Sequence, residues 1–338
     1  MRTEPLLVRW GRRAVSIPLY VTLAAAMHLL LPLWLPLALA FDLAGDRKRL
    51  PRVRMLSFFL LYLSLEVAGV VVASGAWVRH LLRRDPAAFL EDNAALQRWW
   101  TGRLFEGAAA TLGFRVIVES GSGEVLPAPF LLLVRHSSTA DTVLAAALVA
   151  NPHRILLRYV LKRELLWDPC LDIVGQRLPN TFVDRSGARR EAEIAAVAAL
   201  GRGLDARSAA LIYPEGTRFS PAKLAAAEAR LRGRPELSAF AGQFRHVLPP
   251  RLGGPLALLD AAPGVDLLLL EHAGFEPAAS FGELWRGGLV GRAVRARFRR
   301  VPAADVPEAG REEWLLRLWL ETDRWVGEAQ GRSEGSAR

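Results

Sequence analysis

The chain has 338 residues, 51% of them hydrophobic, and a mean hydropathy of +0.18, enough for one large domain plus an accessory segment and high for a soluble protein. Its single cysteine, Cys170, excludes an internal disulfide and a cysteine-based zinc site, fits a reducing compartment and is expected to pack in the core. A net charge of +10 attracts anionic surfaces, whether lipid headgroups, coenzyme phosphates or nucleic acid; apolar segments at the front of the chain favour lipid, and an arginine-heavy basic set with only Lys48, Lys162 and Lys223 as lysines fits a GC-rich genome.

Residues 14–41 carry no charged side chain, and residues 55–78 carry only Glu66. Both runs are long enough to cross about 30 Å of hydrocarbon. Ala38-Leu39-Ala40 looks like a signal-peptidase site, but the run is about twice the length of a signal core and a second run follows, so a retained anchor is expected. Basic residues flank every end and leave orientation open. The pair either spans as a tight hairpin or dips into one leaflet and returns; Pro18, Pro32 and Pro36 permit bends, and an embedded hairpin is preferred. His28 and Glu66 fall at similar depth, within about 3 Å, and are expected to hydrogen-bond and fix the register. Domain boundaries are then a membrane hairpin over 1–84, a linker or interfacial helix with Trp99 and Trp100 over 85–113, a globular domain over 114–330 and a loose tail over 331–338.

From Phe114 onward strand-like and helix-like runs alternate: 114–119, 130–134, 142–149, 155–160, 181–183, 189–204 and 209–213. A helix over 221–232, strands over 265–270 and 294–300 and a tryptophan-bearing helix over 311–328 follow. The cadence predicts one α/β domain with a mostly buried mixed sheet flanked by helices.

Phe130 to Val134 reads as a buried strand, which sets His136 at its exit and Asp141 in the first turn of the next helix. There the carboxylate can hold one imidazole nitrogen and stabilise the imidazolium, which makes His136 a candidate general base. The same spacing recurs in His80 and Asp85, but that copy follows an apolar run, contains two arginines and meets Pro86, and is read as a juxtamembrane charge cluster. Ser137 and Ser138 are expected to cap the helix. Thr181 to Arg185 is a second strand end, delivering Arg185. Residues 209–213 lead into Pro214-Glu215-Gly216-Thr217-Arg218, where Gly216 allows close backbone approach and Arg218 offers a planar fork for phosphate. That turn is either an anion site or a surface salt-bridged loop. Three such strand ends suggest one cleft along one sheet edge.

With these motifs in order, the chain resembles the glycerolphospholipid acyltransferase family, which includes 1-acylglycerol-3-phosphate and lysocardiolipin acyltransferases. The family's motifs fall on His136 to Asp141, Phe182 to Arg185, Glu215 to Arg218 and Leu248-Pro249-Pro250. Arg158 to Pro169, Ser220 to Lys223 and the tryptophans of 314–325 look like the lysocardiolipin branch.

The resemblance implies transfer of a fatty acyl group from acyl-CoA or acyl carrier protein, a co-substrate rather than a cofactor, to a lysophospholipid hydroxyl. The preferred acceptor is 1-acylglycerol-3-phosphate; a lysocardiolipin, another lysophospholipid or a lyso-aminolipid is the alternative. It gives His136 and Asp141 the catalytic pair, and Arg185, Arg218, Glu215, Gly216, Thr217 and Lys162 substrate binding, without an acyl-enzyme. Partners are the substrates, the bilayer and the carrier protein, with neither nucleic acid nor metal. The expected place is a bacterial-type inner membrane, with the catalytic domain facing the cytoplasm. Arg135 stands where the family often has asparagine, and is expected either to point outward or to add a cation to the acceptor site. A non-catalytic, membrane-anchored anion-binding protein is the reading from another class. A soluble thioesterase is disfavoured, since no serine sits in a nucleophile-elbow setting.

Overall fold

Residues 4–119, 127–183 and 190–335 are described by a computed structural model. The first apolar run forms two helices, α1 (Leu6–Leu29) and α2 (Leu31–Ala44), bent by 70° at Leu30. Pro32 has no N–H with which to continue the ladder to His28, and the Trp34 indole donates to the Met27 carbonyl at 2.8 Å, bracing the break. The second run forms α3 (Pro51–Arg83), long and apolar enough to cross a membrane; the bent pair passes the same test only if counted as one span. The segment expected as a linker or interfacial helix is a helix, α4 (Pro86–Leu112), capped by Asp85 and ended by Gly113 in the left-handed region. His80 stacks on Phe89 at 4.3 Å, so the second His/Asp copy is spent on a cap and a ring contact.

The sheet contains β1 (Arg115–Val118), β2 (Phe130–Val134), β3 (Leu156–Lys162), β4 (Thr181–Val183), β5 (Ser208–Ile212), β6 (Asp266–Ala273) and β7 (Ala293–Val301), in the order β1-β7-β6-β2-β5-β3-β4. All neighbours are parallel except β6 and β7, which makes the sheet mixed as expected. The remaining helices are α5 (Asn151–His153), α6 (Pro169–Gly175), α7 (Arg190–Gly201), α8 (Pro221–Arg232), α9 (Gly253–Ala261), α10 (Phe281–Trp285) and α11 (Arg311–Gly335). β2 is central and fully buried. Phe130, Leu132 and Val134 pack with Leu144, Val149 and Phe275 on one side, and Leu131 and Leu133 with Val197, Leu258 and Trp319 on the other, which is why the strand is apolar throughout. β6 runs past its predicted end to include Glu271 and His272; Glu271 is accommodated by Arg299 at 3.0 Å and by the Thr322 hydroxyl.

The N-terminal helices are built onto this domain. α3 lies close against α4 and α6: a Cβ on Gly107 would stand 1.9 Å from Leu61 Cδ2, and one on Gly69 would stand 2.4 Å from Cys170 Sγ. Cys170 is buried as expected. Buried Asp172 of α6 accepts from Arg12 and Arg13 of α1 at 2.7 Å each, pinning α1 to the same helix.

Two expectations are corrected. His28 does not pair with Glu66: its Nδ1 bonds the Ala24 carbonyl at 2.8 Å, one turn back, while Glu66 accepts the Cys170 N–H at 2.9 Å and joins α3 to the start of α6. Equal depth does not set which way a helix face points. The predicted regular helix over 142–149 is instead a 3-10 turn, Ala140–Val143, that widens to a π-helical stretch, Ala146–Ala150. Asp141, drawn back to the N–H groups of Ser137 and Ser138, tightens its start.

Candidate active site

β2, β3, β4 and β5 run parallel, so their C-terminal ends meet on one sheet edge. Phe130 pairs with Ala209 of β5 and Asp266 of β6. The same register carried past Val134 sets His136 between Glu215 on one side and His272 on the other. At this level side chains take over from the backbone ladder. Glu215 accepts the His136 N–H at 2.8 Å, and the His272 imidazole bonds the Arg135 carbonyl at 2.8 Å.

His136 Nδ1 lies 2.9 Å from Asp141 Oδ1. The other carboxylate oxygen accepts the N–H groups of Ser137 at 2.6 Å and Ser138 at 2.7 Å. Burial alone would raise the Asp141 pKa; the imidazoles of His136 and His272 and the Ser138 N–H outweigh it, and the carboxyl ends below its ordinary value. An ionised Asp141 can only accept, so Nδ1 of His136 carries the hydrogen and Nε2 is left with a free lone pair able to accept a proton. The imidazole is 11% exposed while Asp141 is fully buried, which suits a base that meets substrate and a partner that does not. Tyr213, at the exit of β5, packs its ring 4.7 Å from the imidazole.

The serines act differently from the predicted caps. Both give their backbone N–H to Asp141, and the Ser138 hydroxyl donates to the Ala278 carbonyl while accepting from Ala140 N–H.

Glu215 is buried, with one oxygen on His136 N and the other on Leu248 N at 3.0 Å. It therefore ties the third motif to both the first and the fourth. Burial raises its pKa to about 7, against the opposing pull of Arg135 and the two N–H groups. Gly216 has φ +67°, and a Cβ there would stand 2.7 Å from Arg251 Cδ. Arg218 Nη1 donates to Thr139 Oγ1 and to the Ala279 carbonyl at 2.7 Å each, which holds its guanidinium against the turn that carries Asp141. Thr217 is half-buried in the same turn. Lys162 closes β3 opposite Val183, on the same sheet edge two strands from β2. Arg185 lies outside the described residues.

Arg135 fits neither expectation. It is fully buried beneath the site, donating to the carbonyls of His272 at 2.6 Å and His246 at 3.0 Å and pairing with Glu276. The pair holds the Glu276 pKa down at about 2 although burial alone would raise it. Its guanidinium is structural because the strand exit turns it inward while His136 points out.

Sequence reading missed His272, Tyr213 and Thr139. His272 follows an apolar run that gave no sign of reaching it, and its proximity to Asp141 arises only from the β2–β6 register.

Residues 118–246 match the model of the Acyltransferase family. No curated protein matches the chain by sequence. The fold is similar to that of the 1-acyl-sn-glycerophosphate (LPA) acyltransferase PlsC from Thermotoga maritima, with a TM-score of 0.51 and 19% identity over 82% of this chain and 98% of that one.

Proposed function

We propose that this chain, whose acyltransferase match and fold support a place among the glycerolphospholipid acyltransferases, moves a fatty acyl group from acyl-CoA or acyl carrier protein to the free hydroxyl of 1-acylglycerol-3-phosphate. The observation that carries the reading is the junction of two motifs. Arg218, a phosphate-binding type of side chain, is bonded to Thr139 within the loop that holds His136 to Asp141.

In this reading Nε2 of His136 takes the proton of the acceptor hydroxyl as its oxygen attacks the thioester carbonyl. The tetrahedral intermediate then collapses, the carbon–sulfur bond breaks, and the same proton goes to the leaving thiolate. General-base help of this kind contributes about 10² to 10⁴ in rate. Asp141 stabilises the transient imidazolium and fixes the tautomer. The guanidinium of Arg218 meets the acceptor phosphate, with Gly216 and Thr217 forming the floor of that turn and Arg185 and Lys162 adding charge along the sheet edge. Glu215 serves by holding the His136 peptide. The acyl thioester is a co-substrate, and the chemistry calls for no further cofactor.

Both substrates carry acyl chains, and the N-terminal helices fit a lipid setting: Leu7, Leu33 and Leu37 are 90%, 67% and 60% exposed on α1 and α2. We assign these helices and α3 to the bilayer of a bacterial-type inner membrane, with the catalytic domain facing the cytoplasm.

The acceptor is tested by offering the purified protein, in mixed micelles with labelled long-chain acyl-CoA or acyl carrier protein, a panel of lysophospholipids. The proposal expects 1-acylglycerol-3-phosphate to be acylated in preference to a lysophosphatidylcholine. Preference for a lysocardiolipin or a lyso-aminolipid would keep the chemistry and replace the acceptor.

A further inference from the structure

The buried imidazole of His272 takes no part in the proton transfers described, yet it bonds the peptide that leads into His136 and faces the carboxylate of Asp141. A carbonyl can only accept, so the 2.8 Å contact with the Arg135 carbonyl places a hydrogen on His272 Nε2. The same Nε2 lies 3.6 Å from Asp141 Oδ2. Among the described residues nothing donates to its Nδ1. The ring is held edge-on to Phe275 at 5.5 Å, and the Arg135 guanidinium returns a bond to the His272 carbonyl.

The consequence for His136 is geometric. The peptide joining Arg135 to His136 is gripped at both ends, its carbonyl by His272 from β6 and its N–H by Glu215 from the turn after β5. A parallel ladder ends here, and these two side chains are what continue it.

We propose that His272 is a positioning residue for the His136–Asp141 pair, its Nε2–H fixing the peptide that carries His136 and facing the inner oxygen of Asp141. The inference rests on the acyl-transfer reading of His136. Among the described residues, three charged groups face the imidazole: Asp141 from the turn after β2, Arg135 from the strand exit, and Glu276 from the turn after β6. Burial lowers its pKa against the pull of Asp141, and Arg135 lowers it further. His272 therefore stays neutral and leaves the charge of Asp141 to His136.

The test uses the full chain in detergent micelles, as wild type, His272→Phe, His272→Gln and His272→Asn. Phenylalanine fills the space without the donor; glutamine carries an amide N–H to about the place of Nε2, and asparagine cannot reach it. Three readouts are taken: melting temperature, kcat and KM for acyl transfer against pH, and an NMR titration of the His136 ring that needs no turnover.

The expected result is a drop in kcat of about tenfold for the phenylalanine variant with little change in KM, the size of one lost hydrogen bond. Its His136 titration and the acid limb of its rate profile both move to higher pH, because Asp141 without the polarised Nε2–H edge facing it pulls harder on the His136 proton. Glutamine restores both. If the phenylalanine variant fails to fold, the glutamine and asparagine variants decide, with glutamine near wild type and asparagine impaired. The proposal is overturned if phenylalanine matches wild type, or if all variants are equally impaired while the His136 titration does not move, since that is packing alone. Absence of acyl transfer in the wild type would sink the function and leave the titration to judge His272.

Discussion

Glu215 accepts the backbone N–H of His136 at 2.8 Å, so the acidic residue of the Glu-Gly-Thr-Arg turn serves the histidine's own peptide. Its second oxygen takes the Leu248 N–H. Segments 79 and 33 residues away from Glu215 in sequence are thereby locked together through one carboxylate.

The raised pKa of Glu215 has a stability consequence. A folded Glu215 keeps its proton up to about 7, whereas the ordinary value is 4.5, so between these values the folded state binds more protons than the unfolded chain. Stability from this group is therefore present at low pH and falls as pH rises through that window. The wild-type melting temperature is expected to decline from pH 5 to pH 8. Glu215→Gln, which cannot ionise, flattens that decline, and an unchanged slope would reject the assignment.

Asp141→Asn separates orientation from charge. The substituted side chain would present an amide where Nδ1 of His136 and two N–H groups now donate, and would favour the wrong histidine tautomer. A loss of about 10³ to 10⁴ in kcat at neutral pH is expected, the scale seen when a carboxylate partner of a catalytic histidine is made an amide. Acceptor KM stays close to wild type. Steady-state rates over a range of acceptor concentrations check this.

The buried position of Arg135 predicts that its loss affects folding and leaves acceptor choice alone. Arg135→Met strands the Glu276 carboxylate and is expected to destabilise by about 3 to 5 kcal/mol. Adding Glu276→Gln recovers much of that in chemical denaturation. The ranking of lysophospholipid acceptors by whatever folds remains that of the wild type; a changed ranking would put Arg135 in the acceptor site after all.

At Gly216 the backbone is left-handed and Arg251 stands where a Cβ would go. Gly216→Ala is expected to lose about 1 kcal/mol of stability from backbone strain. By displacing the turn beside Arg218 it also raises KM for a phosphate-bearing acceptor severalfold with a smaller effect on kcat. Kinetics with lysophosphatidate at fixed acyl-CoA measure the split.

Much of the site was legible because its local chemistry is written consecutively. Five apolar residues ending at Val134 announce a buried strand, and the spacing from His136 to Asp141 is short enough for one turn to close. What joins Glu215 to His136 is a register between strands 79 residues apart, which no local pattern encodes. Arg135 misled because a charged side chain reads as surface, and its half-buried partner Glu276 lies 141 residues on. His28 and Glu66 misled for another reason: depth along a hairpin follows from counting, but the facing of each helix depends on Cys170 and the bend at Leu30.

The most direct measurement is acyl transfer from labelled long-chain acyl-CoA to 1-acylglycerol-3-phosphate by the purified wild type beside His136→Ala, with melting curves for both. The account predicts labelled phosphatidic acid from the wild type and its loss from a variant that melts like the wild type. Equal transfer by a folded His136→Ala would contradict His136 as the base. No transfer by a folded wild type, with either acyl-CoA or acyl carrier protein as donor, would contradict the catalytic reading itself and leave an anion-binding protein in its place.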